Sequence, residues 1–299
     1  MNLQPLVTIV VISYNQGRYI KENLDSIKAQ TYSNIELIVA DDASTDNSVE
    51  IFDNWLKDNN YRAKKNYHTK NTGLATVLNE CVELATGKYI KLIAADDFLH
   101  PKAIEKCVKK LEELGDEHGM VFTDTYAIDD NSRIINDIAD YNSLGNITSI
   151  EFRRELIRGN RIPALTVIMR LAVLKETGKY DSKLIVEDYY RWLKINEKYF
   201  ISYVPEKLAY YRQHNNNISK LKEDRITLES IWLKIIFDKE GLCKDEINHY
   251  VLNQFLNNIE IPSYFKTDYC NYQHASKRLS KALKFNIPKS LFKVINKIS

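Results

Sequence analysis

Residues Val7–Asp46 read VTIVVISYNQGRYIKENLDSIKAQTYSNIELIVADDASTD. The opening run Val7–Ser13 is short and rich in β-branched residues, which predicts a central strand buried on both faces. After the turn YNQGR, Ile20, Leu24 and Ile27 recur at helical spacing over Tyr19–Gln30, and Ile35–Asp41 repeats the apolar strand pattern. Strand, helix and strand in this order make a right-handed βαβ unit, and hence a parallel sheet. Ligands of such sheets bind at the carboxyl ends of the strands. The ends here are polar: Ser13-Tyr14-Asn15 after the first strand and Asp41-Asp42 after the second.

The alternation continues outward. Asp46–Lys57 reads as a helix, Lys64–His68 as a short strand, and GLATVLNECVELATG as a helix closed by Gly87. Tyr89–Ala95 is a fourth strand, ending in Asp96-Asp97, and Lys102–Leu114 a helix with Pro101 at its first position. Then come a strand at Met120–Ile128, a turn at Asp129–Arg133, a helix at Ser149–Arg158 and a strand at Ala164–Arg170. A helix at Val186–Tyr199, a strand at Leu208–Arg212 and a loop at Asn215–Asn217 complete this part. From Glu223 the pattern is helical and rich in Ile, Leu and Tyr. The fold class is α/β, a mostly parallel sheet flanked by helices over 1–222, with a helical C-terminal region over 223–299.

The chain has 299 residues, 44% hydrophobic and 27% charged, with a net charge of +2 that gives no reason to expect nucleic acid. Lys277, Arg278, Lys281, Lys284, Lys289, Lys293 and Lys297 gather at the C-terminus without an acid, leaving about −5 on the remainder. Four well-separated cysteines, with no CxxC pair, predict reduced thiols. The apolar run Leu6–Ile12 lacks a basic flank, so a signal peptide is not expected. No apolar stretch reaches the roughly 18–20 residues that span a bilayer.

Adjacent carboxylates raise each other's pKa, so Asp96-Asp97 at the mouth of an apolar strand needs compensation. A strand end followed by a helix cap is the plain reading. The chemical one is a hard divalent cation held by a carboxylate and by two phosphate oxygens. In ADDASTDNSVE, Ser44 or Asp46 suits a helix N-cap. A calcium loop fits poorly, because Asn47 and Asp53 stand where its glycine and glutamate belong. Glu187-Asp188 at a helix start suits dipole pairing, or a carboxylate that takes a proton from an attacking hydroxyl.

Taken in order, these segments resemble the family 2 glycosyltransferases of GT-A fold. The resemblance rests on Val7–Asp46, on NTG at Asn71–Gly73, on GKYIKLIAADDFLHP at Gly87–Pro101, on VEDYYRWL at Val186–Leu193 and on YRQHNNNIS at Tyr211–Ser219. It covers about residues 5–220. The resemblance implies an inverting, bacterial surface-polysaccharide type of enzyme. Tyr14 and Asp42 would stack on and hydrogen-bond the uracil of a UDP-sugar. Ser13, Asn15, Asp41, Ser44, Asn71 and Gly73 would support that binding. Asp96 would be the ligand of Mn2+ or Mg2+, with Asp97 and Glu187 beside the substrate, His214 near the diphosphate and Asp188 the general base. The family's commonest acidic motif is D-x-D-D, and this chain has Ala94-Ala95-Asp96-Asp97 instead. A carboxylate used near the ribose and a third acid are therefore missing.

The expected reaction is a metal-assisted single displacement onto a hydroxyl of a glycan or lipid-linked oligosaccharide. Two other classes compete. A sugar nucleotidylyltransferase would carry a Gly- and Arg-rich phosphate loop after the first strand, where SYNQGRY has one glycine. A non-catalytic nucleotide-sugar-binding protein would not need Asp96, Asp97 and Asp188 together. Between Lys277 and Ile298, apolar residues interleave with the cations around Pro288, which divides the segment into two short helices. Such a segment either packs on the protein or lies on an anionic membrane surface. The expectation is a cytoplasmic enzyme of cell-envelope polysaccharide biosynthesis, peripheral on the inner face of the membrane. Tyr250, Tyr264, Tyr269 and Tyr272 mark either an interface or a second core.

Overall fold

The structure, a computed structural model, describes residues 4–135, 147–214 and 221–292. The loop expected at Asn215–Asn217 and the tail cations Lys293 and Lys297 lie outside the described residues. The chain forms two compact units, 1–153 with 161–221 and 154–160 with 222–299.

Among the described residues, the first unit is built on one eight-stranded sheet with the strand order Ala63–Tyr67, Ile35–Asp41, Val7–Ser13, Tyr89–Ala94, Ile168–Arg170, His118–Ile128, Phe200–Arg212 and Phe98–Leu99. Its first half matches the alternation in the sequence. β1 (Val7–Ser13) pairs in parallel with β2 (Ile35–Asp41) and with β4 (Tyr89–Ala94), and β3 (Ala63–Tyr67) lies outside β2. All seven residues of β1 are buried, as expected of a strand covered on both faces. The crossover helices are α1 (Gly17–Lys28), α2 (Ser48–Asp58) and α3 (Leu74–Leu84). Ile20, Leu24 and Ile27 of α1 and Phe52, Trp55 and Leu56 of α2 turn into the same core. The register places Ser13 opposite Asp41 and Ile12 opposite Ala94, so three polar strand ends emerge side by side.

The second half of the sheet is less regular. β7 (Ile168–Arg170) runs antiparallel to both β4 and β6 (His118–Ile128), whereas β6 is parallel to β8 (Phe200–Arg212). The strand expected at Ala164–Arg170 is in fact a 3-10 turn at Ala164–Thr166 followed by β7. β8 is much longer than the expected Leu208–Arg212, and register shifts around Asp124 interrupt its ladder with β6. Two short elements escape the sequence pattern: β5 (Phe98–Leu99) and the helix α6 (Leu171–Glu176). α4 (Ala103–Leu114) starts two residues after Pro101, α5 covers Ser149–Arg158 and α7 covers Glu187–Lys198.

Gly87 does not close α3, which ends at Leu84 with Ala85 extended. Its role is close approach. A Cβ there would lie 2.7 Å from both the Thr8 N and the Tyr89 O. Both are backbone atoms held in the sheet and cannot swing away. Gly87→Ala is therefore expected to destabilise the protein by about 1–3 kcal/mol, seen as a lowered Tm in thermal unfolding. An unchanged Tm would show that the β1–β4 edge has slack.

Lys91 is a further departure within β4. Its ammonium is fully enclosed and donates to the Leu165 and Val167 carbonyls, and burial drives its pKa down to about 7.

The second unit is helical, with α8 (Glu223–Phe237), α9 (Lys244–Leu256), α10 (Ser263–Asn271) and α11 (Lys277–Lys284). Ile231, Ile247, Val251, Phe265 and Tyr269 form its core, with Ile157 packed against them. Tyr269 and Tyr272 are core residues, while Tyr264 is exposed. Leu279, Ala282 and Leu283 of α11 are buried in the same core, so the apolar face of this basic helix is largely occupied. Phe285 and Leu291 remain 68% and 51% exposed. Among the described residues no helix is long and apolar enough to cross a membrane.

Candidate active site

Two corners form at the carboxyl ends of β1, β2 and β4. The first is built by the loops after β1 and β2. Asn15 and Ala43 both sit in the left-handed region, with φ of 55° and 61°, a conformation uncommon for residues other than glycine. Side-chain bonds hold both turns. The Ser44 N and Oγ donate to the two Asp41 oxygens at 2.7 and 2.6 Å, the Asn15 N donates to the Ser44 Oγ, and the Thr45 N donates to the Asn15 Oδ1. Ser13 is buried and donates inward to the Ser48 Oγ. The N-cap of α2 is Asn47, whose side chain makes no cap bond, and not Ser44 or Asp46; Asp46, one residue earlier, accepts from the Ser48 N and also from the Gly17 N.

Asp42 leaves this turn toward the start of α3 and is 4% exposed. Its Oδ1 accepts from the Thr72 N at 2.8 Å, the Thr72 Oγ1 at 3.0 Å and faces the His68 Nδ1 at 3.0 Å. Its Oδ2 accepts from the Gly73 N at 2.8 Å. Gly73 has φ +87, a backbone that side chains rarely adopt, and this conformation aims its N–H at the carboxylate. Burial works against ionisation of Asp42, but the Thr72 and Gly73 N–H groups and then His68 outweigh it and hold its pKa below the usual carboxylate range. Tyr14 stands 49% exposed at the mouth, and Asn71 is exposed.

The second corner follows β4. Asp96 and Asp97 are 8% and 6% exposed. Burial, and then the charge of Asp96, push the Asp97 pKa well above its usual range. The required compensation comes from Arg212. Its N donates to the Asp97 Oδ1 at 2.9 Å and its Nε to the Asp96 carbonyl at 2.8 Å. Its guanidinium also donates to the Asp129 carbonyl, Glu22 and Ser132, and lies 4.4 Å above the Tyr19 ring. β5 explains how this residue arrives. Phe98 and Leu99 pair antiparallel with Tyr210 and Ala209, their register sealed by Phe98 stacking on Tyr210 at 4.3 Å. Continuing that register brings Arg212 beside Asp96. His214 follows, its Nε2 3.1 Å from the Asp96 Oδ2 and its ring stacked on Tyr19.

Asp96 and His214 thus point a carboxylate oxygen and an imidazole nitrogen at one place. Carboxylate and imidazole are both ligands of manganese-like cations, and a nucleotide-bound cation takes most of its remaining ligands from phosphates and water. The pair fits such a cation. Among the described residues no group of three His, Cys, Asp or Glu side chains is assembled for a metal. Ala94 is exposed where a further acid would face a ligand, whereas Ala95 is wholly buried in the core. Of the two alanines, Ala94 is therefore the one that leaves a gap at the mouth.

Glu187 and Asp188 form the first turn of α7, and the Asp188 Oδ1 accepts from the Tyr189 N at 2.5 Å. The charges of both act on the buried Tyr180 hydroxyl, whose pKa is raised chiefly by burial. The Tyr180 backbone is in turn held by the Asn79 side chain of α3, at 2.8 and 3.0 Å. Arg191 of α7 lies 4.4 Å over the Tyr180 ring, so α7 is tied through Tyr180 to the helix whose N-terminus holds Asp42. Arg212, Tyr19, His68 and Glu80 were not expected from the sequence. Arg212 stood inside the quoted YRQH segment, but its burial depends on β5.

Comparison with known proteins agrees with this architecture. The model of the family described as glycosyl transferase family 2 matches residues 8–175. The glycosyltransferase MJ1057 of Methanocaldococcus jannaschii is 30% identical over 77% of this chain and 80% of its own length. A glycosyltransferase of Rickettsia bellii is 26% identical over 98% of this chain, which spans only 42% of that relative. Among solved structures, S. aureus TarS in complex with UDP-GlcNAc superposes with a TM-score of 0.67 at 18% identity, over 92% of this chain and 82% of TarS. The mannosyltransferase PcManGT of Pyrobaculum calidifontis, in complex with GDP-Man and Mn2+, gives 0.59 at 17% identity, over 99% of this chain and 83% of PcManGT. At these identities the two structures share the fold, the GT-A arrangement. The chain is a glycosyltransferase and belongs to glycosyl transferase family 2.

Proposed function

We propose that this glycosyltransferase moves a sugar from a UDP-sugar to a hydroxyl of a glycan or lipid-linked glycan, with inversion and in a single displacement. The observation that carries the reading is the pairing of two corners on neighbouring strand ends. One is an ionised carboxylate held from behind by backbone N–H groups, and the other is an Asp96–His214 pair. An ionised, pre-oriented carboxylate suits the imide N–H of uracil, and the exposed Tyr14 ring suits stacking on its face. The nucleotide-sugar complexes of TarS and PcManGT support a donor of this class.

Asp96 and His214 would hold Mn2+ or Mg2+ at the diphosphate, with Asp97 in support and Arg212 fixing both aspartates. When bound, the cation supplies charge stabilisation for the departing diphosphate. Asp188 accepts the proton of the acceptor hydroxyl as its oxygen bonds to the anomeric carbon. The bond from that carbon to the UDP oxygen breaks and UDP leaves with the electron pair. Glu187, beside the base, and Asn71, at the mouth, would contact the substrate. Catalysis is assigned to the sheet-containing unit. Contact with an anionic membrane would go through Phe285, Leu291 and neighbouring lysines, since Leu279, Ala282 and Leu283 of α11 are buried.

Asp96→Asn tests the metal corner. In UDP titrations with and without Mn2+, the wild type is expected to bind at least about tenfold more tightly with the cation, and the variant to lose that gain. Tenfold corresponds to about 1.4 kcal/mol, within the range of one lost charge-assisted contact. Equal Mn2+ dependence in the variant would remove Asp96 from the metal.

A further inference from the structure

We propose that His68 is a positioning residue for donor binding: clamped as an imidazolium between Glu80 and Asp42, it fixes the base-reading carboxylate and confines tight binding to pH values where the ring is charged. The inference rests on the assignment of the uracil to Asp42.

The contacts of the ring favour its charged form. His68 directly follows β3, where its N donates to the Asp41 carbonyl at 2.9 Å. Its Nε2 is 2.6 Å from the Glu80 Oε2, and its Nδ1 is 3.0 Å from the Asp42 Oδ1. Each ring nitrogen faces a carboxylate, which can only accept. A neutral imidazole has one N–H, so either tautomer would turn a lone pair on one carboxylate. Only the doubly protonated ring satisfies both.

Asp42 depends on this charge in two ways. It receives the Nδ1–H bond itself. It also keeps the Thr72 hydroxyl proton, because the Thr72 Oγ1 lies 3.0 Å from the Asp42 Oδ1 but only 2.8 Å from the His68 Nδ1. If Nδ1 lost its proton, the hydroxyl would turn to the vacated lone pair. Asp42 would then lose two donors and keep only the Thr72 and Gly73 N–H groups.

The ionisable groups facing the ring are Asp42, from the end of β2, and Glu80, from α3. Asn66 of β3 steadies Glu80 from the other side at 2.9 Å, and the neighbouring Cys81 thiol, pushed up to about 11 chiefly by burial, stays neutral. Lys65 of β3 is engaged with Asp53. Burial disfavours the imidazolium, but the two carboxylates outweigh it and raise its pKa above the ordinary value. For a group whose pKa is raised in the native state, the contribution is complete below the ordinary value of about 6.5 and fades as pH rises through the raised one. The Glu80 side is half exposed, so salt weakens that contact first.

Two measurements test the clamp on the full chain. Nitrogen-15 NMR of the His68 ring, without ligand, is expected to show two protonated nitrogens at pH 7. A neutral ring there overturns the proposal. UDP titrations from pH 6.5 to 8.5 are expected to show wild-type affinity falling about tenfold. His68→Asn offers Asp42 an uncharged amide donor, and its affinity should fall much less over the same range. If His68→Asn kept the wild-type slope, another group would be responsible. Asp42→Asn separates the underlying assignment: unchanged UDP affinity in that variant would refute base recognition by Asp42, and with it the functional role of the clamp, even where NMR showed the imidazolium.

Discussion

Replacing Asp188 by Asn is expected to lower sugar transfer by about 10²–10⁴-fold, the usual contribution of a positioned general base, while UDP affinity stays nearly unchanged. The substitution is nearly isosteric. An Asn Oδ1 can still accept the Tyr189 N–H that Asp188 accepts in the first turn of α7, so the helix start is preserved. What is lost is the capacity to take a proton. The link from α7 through Tyr180 and Asn79 to α3 should survive as well, since it runs through Arg191 on the Tyr180 ring and through the Tyr180 backbone. Transfer rates under saturating donor and acceptor, set beside UDP titrations, separate the two effects. Near wild-type transfer by Asp188→Asn would mean that another group takes the acceptor proton.

Arg212→Met is expected to have the largest effect on stability. The Arg212 side chain is 1% exposed and its partner Glu22 is 40% exposed. Breaking a buried pair costs about 3–5 kcal/mol, and solvent around Glu22 places this case near the lower end. The methionine also strands the Asp96 and Asp129 carbonyls that the guanidinium satisfies. A fall in Tm on the order of 10 °C follows. Arg212→Lys should recover little, since an ammonium cannot reach in several fixed directions or lie flat on Tyr19. Where the variant still folds, Mn2+-dependent UDP binding should weaken, because Asp96 loses the group that fixes its backbone. An unchanged Tm for Arg212→Met would contradict the role given to this residue.

The two effects fall on different parts of the molecule, and so did success in reading the sequence. β1, β2 and β4 are plain in the sequence because strands buried on both faces are near-continuous apolar runs, bounded by polar ends. The aspartates at those ends follow from the same pattern. α3 was legible as a helix but not in its ending: Gly87 serves close packing on β1, and glycine gives the same letter for either role. β5 is two residues long and no periodicity can reveal it, yet it carries Arg212 and His214 to Asp96. The extension of β8 beyond Leu208–Arg212 was hidden by its half-exposed residues and by the irregular ladder near Asp124. His68 and Glu80 belong to no local motif. They meet because β3 and α3 pack together, so their partnership with Asp42 is a property of the fold. Lys91 did leave a signal, as a single cation inside an apolar strand, which implies a buried partner.

Transfer from a UDP-sugar at a cation-dependent site can be followed as released nucleotide. Its most direct test is to incubate the protein with a panel of UDP-sugars and with GDP-mannose, in Mn2+ and in a chelator, and to measure the nucleoside diphosphate released. Release of UDP from at least one UDP-sugar is expected in Mn2+, abolished by the chelator and strongly reduced in Asp96→Asn. Release of GDP alone, or release of UDP indifferent to both the cation and Asp96, would contradict it.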